Sequence, residues 1–202
     1  MIGSKVIHNG PTTGLLGYWI GRIWMLVTGW NVKGEFPKEG KFVIIGTHTS
    51  NWDFPFMLAA VHILRLKVSW MGKDSLFKKP FGSIMKFLGG IPIDRSKHSG
   101  LTKQVIKQFE TSEKLAIIIP PSGTRGKAPY WKSGFYWIAN GAKIPILCGY
   151  IDYKKKEVGI GYWLIPTGNI RNDMDKIRAF YKNIEEKYPE KRTPIRLKEE
   201  LN

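Results

Sequence analysis

The stretch KFVIIGTHTSNWDFPFMLAAVHIL, residues 41–64, decides the fold. Its first part, Lys41 to Thr47, is a short apolar run rich in β-branched residues, the pattern of a strand buried on both faces. Its last part, Phe54 to Leu64, reads as a helix in which Pro55 is tolerated only because it falls in the first turn. His48 and Asp53 lie at the corner between the two. Placed five apart on one continuous helix they would diverge by about 140°, so they meet only if the chain turns between them. A carboxylate near a helix N-terminus is held ionised by the free amides and the macrodipole. It can then fix the imidazole in one tautomer by accepting its N–H, leaving the other ring nitrogen to take a proton from a hydroxyl. That is the logic of a Ser-His-Asp triad with the alcohol of a substrate in place of the serine. Standing alone, however, a histidine and an aspartate with four residues between them are common, and a capping aspartate beside an ordinary loop histidine is the simpler account.

Downstream, strands and helices alternate. Val68 to Met71 reads as a strand, Ser75 to Leu88 as a helix and Ile91 to Ile93 as a short strand. Leu101 to Glu110 places Leu101, Val105, Ile106 and Phe109 on one helical face, and Leu115 to Ile119 is a very apolar strand. The loop PPSGTRGKAPYWKSG (120–134) precedes a brief helix, Phe135 to Asn140. Ile144 to Tyr153 and Glu157 to Leu164 form a hairpin through a lysine-rich turn, and Asp173 to Lys187 reads as a polar amphipathic helix. The expected fold is α/β: a single domain with a mostly parallel or mixed β-sheet flanked by helices. The 202 residues suit one such domain without disulfide or metal staples.

Upstream, Leu15 to Trp30 is strongly apolar but too short for a spanning helix of about 20 residues, and it carries Arg22 in its middle. Gly14, Gly17, Gly21 and Thr28 recur at helical spacing and make a thin face. Leu16, Trp19, Ile20, Ile23, Leu26, Val27 and Trp30 cover the rest, an arrangement suited to a membrane interface. The chain therefore divides into an N-terminal membrane-docking segment (1–36), the α/β domain (37–190) and a charged, peripheral C-terminal tail (191–202).

Composition bounds the function. Thirty-two basic against sixteen acidic residues give a net charge of +16, so the expected partner is anionic: nucleic acid, an acidic membrane surface, or a phosphorylated substrate and carrier. Cys148 is the single cysteine, which excludes an intramolecular disulfide. With it, His8, His48, His62 and His98 show no metal-ligand spacing, so no metal and no redox cofactor is expected. Cys148 also falls in an apolar strand pattern, where a thiol is unreactive.

Residues 46–56, GTHTSNWDFPF, resemble the first block of the lysophosphatidic acid acyltransferase family, the His-x4-Asp glycerolipid acyltransferases. Three further blocks follow in the family's order: Gly89-Gly90-Ile91-Pro92-Ile93-Asp94-Arg95, Pro121-Ser122-Gly123-Thr124-Arg125 and Ile144-Pro145-Ile146-Leu147. The resemblance spans about residues 40 to 150. It implies that His48 and Asp53 are the catalytic dyad, and that Arg95 and Arg125, with Ser122, Gly123 and Thr124 beside them, bind a glycerol-phosphate headgroup. The sequence departs from the family at Ser122, where most members carry glutamate. A serine bonds headgroup hydroxyls more weakly and without charge, which bears on the acceptor rather than on the reaction.

The expectation is an O-acyltransferase that moves a fatty acyl group from acyl-CoA or acyl-carrier protein to a lysolipid hydroxyl in phospholipid biosynthesis. Lysophosphatidic acid (1-acylglycerol-3-phosphate) is the leading acceptor, giving phosphatidic acid; a lyso-aminolipid is the alternative. Residues Phe54, Phe56, Trp70, Phe77, Phe81 and Phe87 are candidate walls of an acyl groove, and an amide of the Gly123-Thr124 turn is a candidate oxyanion donor. The enzyme is expected on the cytoplasmic face of a membrane, peripheral or monotopic, against anionic lipid. Readings of another class are a nucleic-acid binder, for which the chain has no recognisable reading motif, and a non-catalytic membrane scaffold, against which the intact His48 and Asp53 argue.

Overall fold

Strands that are apolar on both sides need cover on both faces, and the helices of this chain supply it. The computed structural model describes residues 14–34, 40–93 and 100–201. Strands β1 (Asn31–Gly34), β2 (Lys41–Ile45), β3 (Ser69–Lys73), β4 (Gly90–Ile93), β5 (Leu115–Ile119), β6 (Ile146–Asp152) and β7 (Glu157–Leu164) form one sheet in the order β1-β7-β6-β2-β5-β3-β4. Neighbours run parallel except β6 and β7, the antiparallel hairpin. The fold is thus a single α/β domain with a mixed sheet, as expected. The helices are α1 (Leu15–Thr28), α2 (Asp53–Ile63), α3 (Gly82–Phe87), α4 (Leu101–Thr111), α5 (Gly134–Ala142) and α6 (Ile170–Tyr181).

Strand β2 lies at the centre between β5 and β6, and its residues alternate faithfully between the two faces. Val43 and Ile45 join a core with Phe135 and Tyr136 of α5 and Met174, Ile177 and Tyr181 of α6. Phe42 and Ile44 join the opposite core with Val61 of α2, Val68, Leu147 and Ile160. The C-terminal end of β2 is held by Tyr181, whose fully buried hydroxyl lies 3.0 Å from the Ile45 carbonyl and 2.8 Å from that of Gly149.

Helix α1 docks on α2 through its glycines. A Cβ at Gly17 would sit 2.6 Å from His62 Nδ1, and one at Gly21 would sit 2.9 Å from the Ala59 carbonyl. The approach is therefore too close for any side chain, and the large apolar residues must face the other way. Leu15, Leu16, Trp19, Ile20, Ile23, Leu26 and Val27 are between 59% and 81% exposed. Trp30, expected on the same outer surface, is buried instead. Gly29 ends the helix with φ at 70°, turning the chain inward so that Trp30 stacks on Phe56 with ring centroids 4.0 Å apart. No described helix is long and apolar enough to cross a membrane.

Three elements differ from the reading of the sequence. The single helix expected over Ser75 to Leu88 is a 3-10 turn (Asp74–Phe77) followed by α3, because Pro80 lacks an amide hydrogen and disfavours helical backbone at Lys79. The last helix begins earlier than Asp173, where Asn169 accepts the Asn172 amide at 3.2 Å, and ends at Tyr181 rather than Lys187. Beyond it, Arg192 donates to the Tyr181 and Ile184 carbonyls at 2.7 and 3.1 Å. The C-terminal tail is not peripheral. Leu197 is fully buried and bridges to Trp131, the Arg196 carbonyl accepts the Trp131 amide at 2.8 Å, and Thr193 Oγ1 accepts the Ala128 amide at 3.0 Å. The tail thereby pins the 120–134 loop. Leu197→Ala should lower the unfolding free energy by about 2–5 kcal/mol. Urea denaturation measures this, and an unchanged midpoint would return the tail to the surface.

Candidate active site

The strand-to-helix corner does what the spacing of His48 and Asp53 requires. The Nδ1–H of His48 donates to Asp53 Oδ2 at 2.8 Å. The amides of Thr49 and Ser50 donate to the same oxygen at 3.0 and 2.9 Å, so the turn wraps around the carboxylate that opens α2. The second oxygen, Oδ1, accepts the hydroxyl of Tyr153 at 2.8 Å from the end of the β6–β7 hairpin. Burial by itself would raise the Asp53 pKa. The bonds from His48, the Ser50 amide and Tyr153 outweigh it and hold the carboxyl below its ordinary value. Tyr153 is pushed up by its own burial and then by the Asp53 charge, so it remains a protonated donor. With Nδ1 committed, Nε2 is the nitrogen of His48 left to exchange a proton with a ligand.

His48 and Asp53 border a cavity of about 870 Å³. Its wall is mostly apolar, with Phe54, Met57, Val61 and Leu64 from α2, Ile44 from β2, and Trp70 and Met71 from β3. Of the six aromatic residues expected to line it, Phe54 and Trp70 do. Phe77 stacks behind Trp70 at 5.7 Å, Phe56 packs against Trp30 and Tyr153, and Phe81 and Phe87 are 63% and 76% exposed. Their spacing in sequence identified them as apolar but not which side of a broken helix each would take.

The loop after β5 contributes Gly123, Thr124, Arg125 and Gly126 to the same cavity. Arg125 Nη1 bonds Asn51 Oδ1, which ties this loop to the His48 corner. Gly123 needs its freedom, with φ at 64°. Its amide donates to the Pro120 carbonyl at 3.1 Å, so of the two amides of this turn that of Gly123 is already engaged. Ser122 lies beneath the loop, buried, with its hydroxyl donating to the Thr124 carbonyl at 2.8 Å. Arg95 lies outside the described residues. Gly90 is required by packing, since a Cβ there would meet the Phe77 ring at 2.6 Å. Cys148 is fully buried, and burial pushes its thiol up to about 12, which removes it as a nucleophile at neutral pH. Among the described residues no group of His, Cys, Asp and Glu is arranged to hold a metal ion.

An imidazole–carboxylate dyad thus stands at the end of the central strand of an α/β sheet, at the border of a mostly apolar cavity. A family model described as Acyltransferase matches residues 30–151, well over half of the chain, and the protein belongs to this acyltransferase family. The fold is similar to the crystal structure of the 1-acyl-sn-glycerophosphate (LPA) acyltransferase PlsC from Thermotoga maritima, at a TM-score of 0.56 and 16% identity over 83% of this chain and 78% of that one. Comparison with curated proteins gave no match.

Tyr153 carried no signal in the sequence, because its bond to Asp53 spans 100 positions. Tyr153→Phe keeps the ring packing and removes one donor from a buried carboxylate. We expect kcat to fall about tenfold with KM little changed, and folding stability to drop at neutral pH. Asp53 has a lowered native pKa. Its stabilising contribution is therefore complete above the ordinary aspartate value of 3.8 and is lost as pH falls through the lower value of the folded state. The stability difference between the variant and the native protein should accordingly narrow in acid. A difference that stays constant down to acid unfolding would disconnect Tyr153 from this carboxylate.

Proposed function

We propose that this acyltransferase esterifies a lysolipid hydroxyl, with lysophosphatidic acid as the acceptor and acyl-CoA or acyl-carrier protein as the donor, at the cytoplasmic face of a membrane. The observation that carries the reading is the dyad at the rim of an apolar cavity large enough for an acyl chain, with Arg125 on the same wall. His48 Nε2 takes the proton of the acceptor hydroxyl as its oxygen attacks the thioester carbonyl. The carbon–sulfur bond then breaks, and the leaving thiolate takes the proton back from His48. Neither an acyl-enzyme nor a cofactor enters this scheme. Asp53 holds the ring in register and stabilises the imidazolium that forms. Arg125, a planar guanidinium suited to paired bonds with phosphate, is assigned to the acceptor headgroup, with Arg95 as its expected partner.

Membrane association rests on α1, whose exposed apolar face includes Trp19 and is turned outward by the glycine contact with α2. The net charge of +16 favours an anionic surface. Because the Ser122 hydroxyl is engaged by the Thr124 carbonyl, the residue that replaces the family's glutamate is assigned to holding the loop rather than to the headgroup. A lyso-aminolipid therefore stands as the second acceptor to test.

The test is a panel of lysolipids incubated with labelled acyl-CoA and with acyl-carrier protein, scored by labelled diacyl product. Lysophosphatidic acid should be the best acceptor, and His48→Ala should reduce turnover by about 10²–10⁴-fold. Transfer to lyso-aminolipid alone would replace the acceptor. Undiminished thiol release by His48→Ala would remove the dyad from the mechanism.

A further inference from the structure

The segment between β3 and β4 has two sides of different character. Inward, Phe77 stacks on Trp70, and Met85 lines the cavity. Outward, Phe81, Ile84 and Phe87 recur every three residues, which confines them to about 120° of helical arc. They are 63%, 52% and 76% exposed, and Leu76, 45% exposed, both joins this outer surface and lines the cavity. Large apolar side chains left together in water mark a contact surface rather than a random scatter. Around them stand the exposed lysines Lys73, Lys78, Lys79 and Lys86, against the single acidic residue Asp74.

This composition selects the occupant. A second copy of the chain seated on the patch by a two-fold axis would bring two sets of these lysines face to face. An anionic bilayer instead offers acyl chains to the aromatic rings and phosphates to the lysines, the pairing of an amphipathic interfacial element. Leu76 and Met85 of the same segment line the cavity that would receive the acyl chain.

Building on the membrane reading above, we propose that the outer side of residues 76–87 is a second membrane contact, separate from α1, which inserts Phe81, Ile84 and Phe87 among the lipid chains and seats the cavity opening against the bilayer. An acyl chain then passes between bilayer and cavity along apolar surface. α1 fixes the protein to the membrane, and this lip fixes its orientation.

The experiment places an environment-sensitive dye on the full-length protein at Phe87→Cys, at Leu26→Cys on α1, and at Lys176→Cys on α6. The native Cys148 is buried and does not compete for the label, and α6 packs on the opposite face of the sheet from α2. Vesicles of phosphatidylcholine and phosphatidylglycerol contain a fraction of lipid spin-labelled on its acyl chains. The dyes at 87 and 26 should shift to the blue and lose most of their emission, while the dye at 176 stays bright. In parallel, the double variant Phe81→Ser, Phe87→Ser should partition into these vesicles at least about tenfold less than the native protein. Quenching at 26 without quenching at 87, or undiminished partition of the double variant, overturns the second contact and leaves α1 as the anchor. Quenching at neither position overturns both the second contact and the membrane reading on which it rests.

Discussion

A carboxylate taken out of water must be met by donors, and the way Asp53 is met organises the functional end of this protein. Its two oxygens receive four bonds: the His48 ring, the amides of Thr49 and Ser50, and the Tyr153 hydroxyl. The first three come from one turn, so the corner after β2 is shaped by the charge it surrounds. The fourth comes from the far side of the hairpin, and forms only once β6 and β7 have paired and β6 has joined β2. The dyad is therefore a property of the assembled sheet rather than of the local sequence alone. Removing the carboxylate would leave four donors facing each other, whereas removing the histidine would leave the corner largely intact.

The same corner is coupled to α1 through aromatic packing. Trp30 stacks on Phe56 and meets Tyr153 edge to face at 5.0 Å, and Trp24 of α1 stacks on Trp52 at 6.5 Å. Trp52 immediately precedes Asp53. The Lys187 ammonium sits 5.2 Å from the Trp52 ring and 5.7 Å from that of Tyr153, closing the cluster with a cation. The glycines of α1 contribute little apolar area against α2, and Met25, buried with Phe56, Ala59 and Ala60, contributes more. These rings, together with Met25, bind the C-terminal part of α1 to the domain. Whatever holds the outer face of α1 is thus one ring contact away from the residues that hold the dyad.

The central part of the fold was legible in the sequence because its elements are short, continuous and apolar: β5 and β7 have the expected limits, and β2 is only two residues shorter. The dyad was legible because both members lie within one turn of chain. Features that depend on distant partners were not. Tyr153 is one tyrosine among eight, and nothing local marks it as the partner of a carboxylate 100 residues earlier. The tail misled for a related reason. Its average composition is charged, yet Leu197 alone finds the Trp131 wall, and Arg192 and Thr193 act through specific hydrogen bonds that composition does not record. At Pro80 the local break overrides the apolar periodicity on either side of it.

In the proposed reaction the nucleophile is the substrate hydroxyl rather than a residue of the enzyme. Cys148 is locked in the sheet, and His48 is the group positioned to take a proton at the cavity rim. A histidine that activates an alcohol will activate water equally well, and water attacking a thioester gives wasteful hydrolysis. The protein can favour the alcohol only by concentrating it and by keeping water out while the two substrates meet. In the proposed reaction the apolar wall of Phe54, Met57, Val61, Leu64 and Trp70 serves the second requirement, and the loop that Arg125 ties to Asn51 is assigned the first. That loop is itself pinned by Thr193 and Leu197 from the C-terminal tail. On this proposal, selectivity for an alcohol over water depends on residues distant from the reacting atoms, including Leu197 of the C-terminal tail.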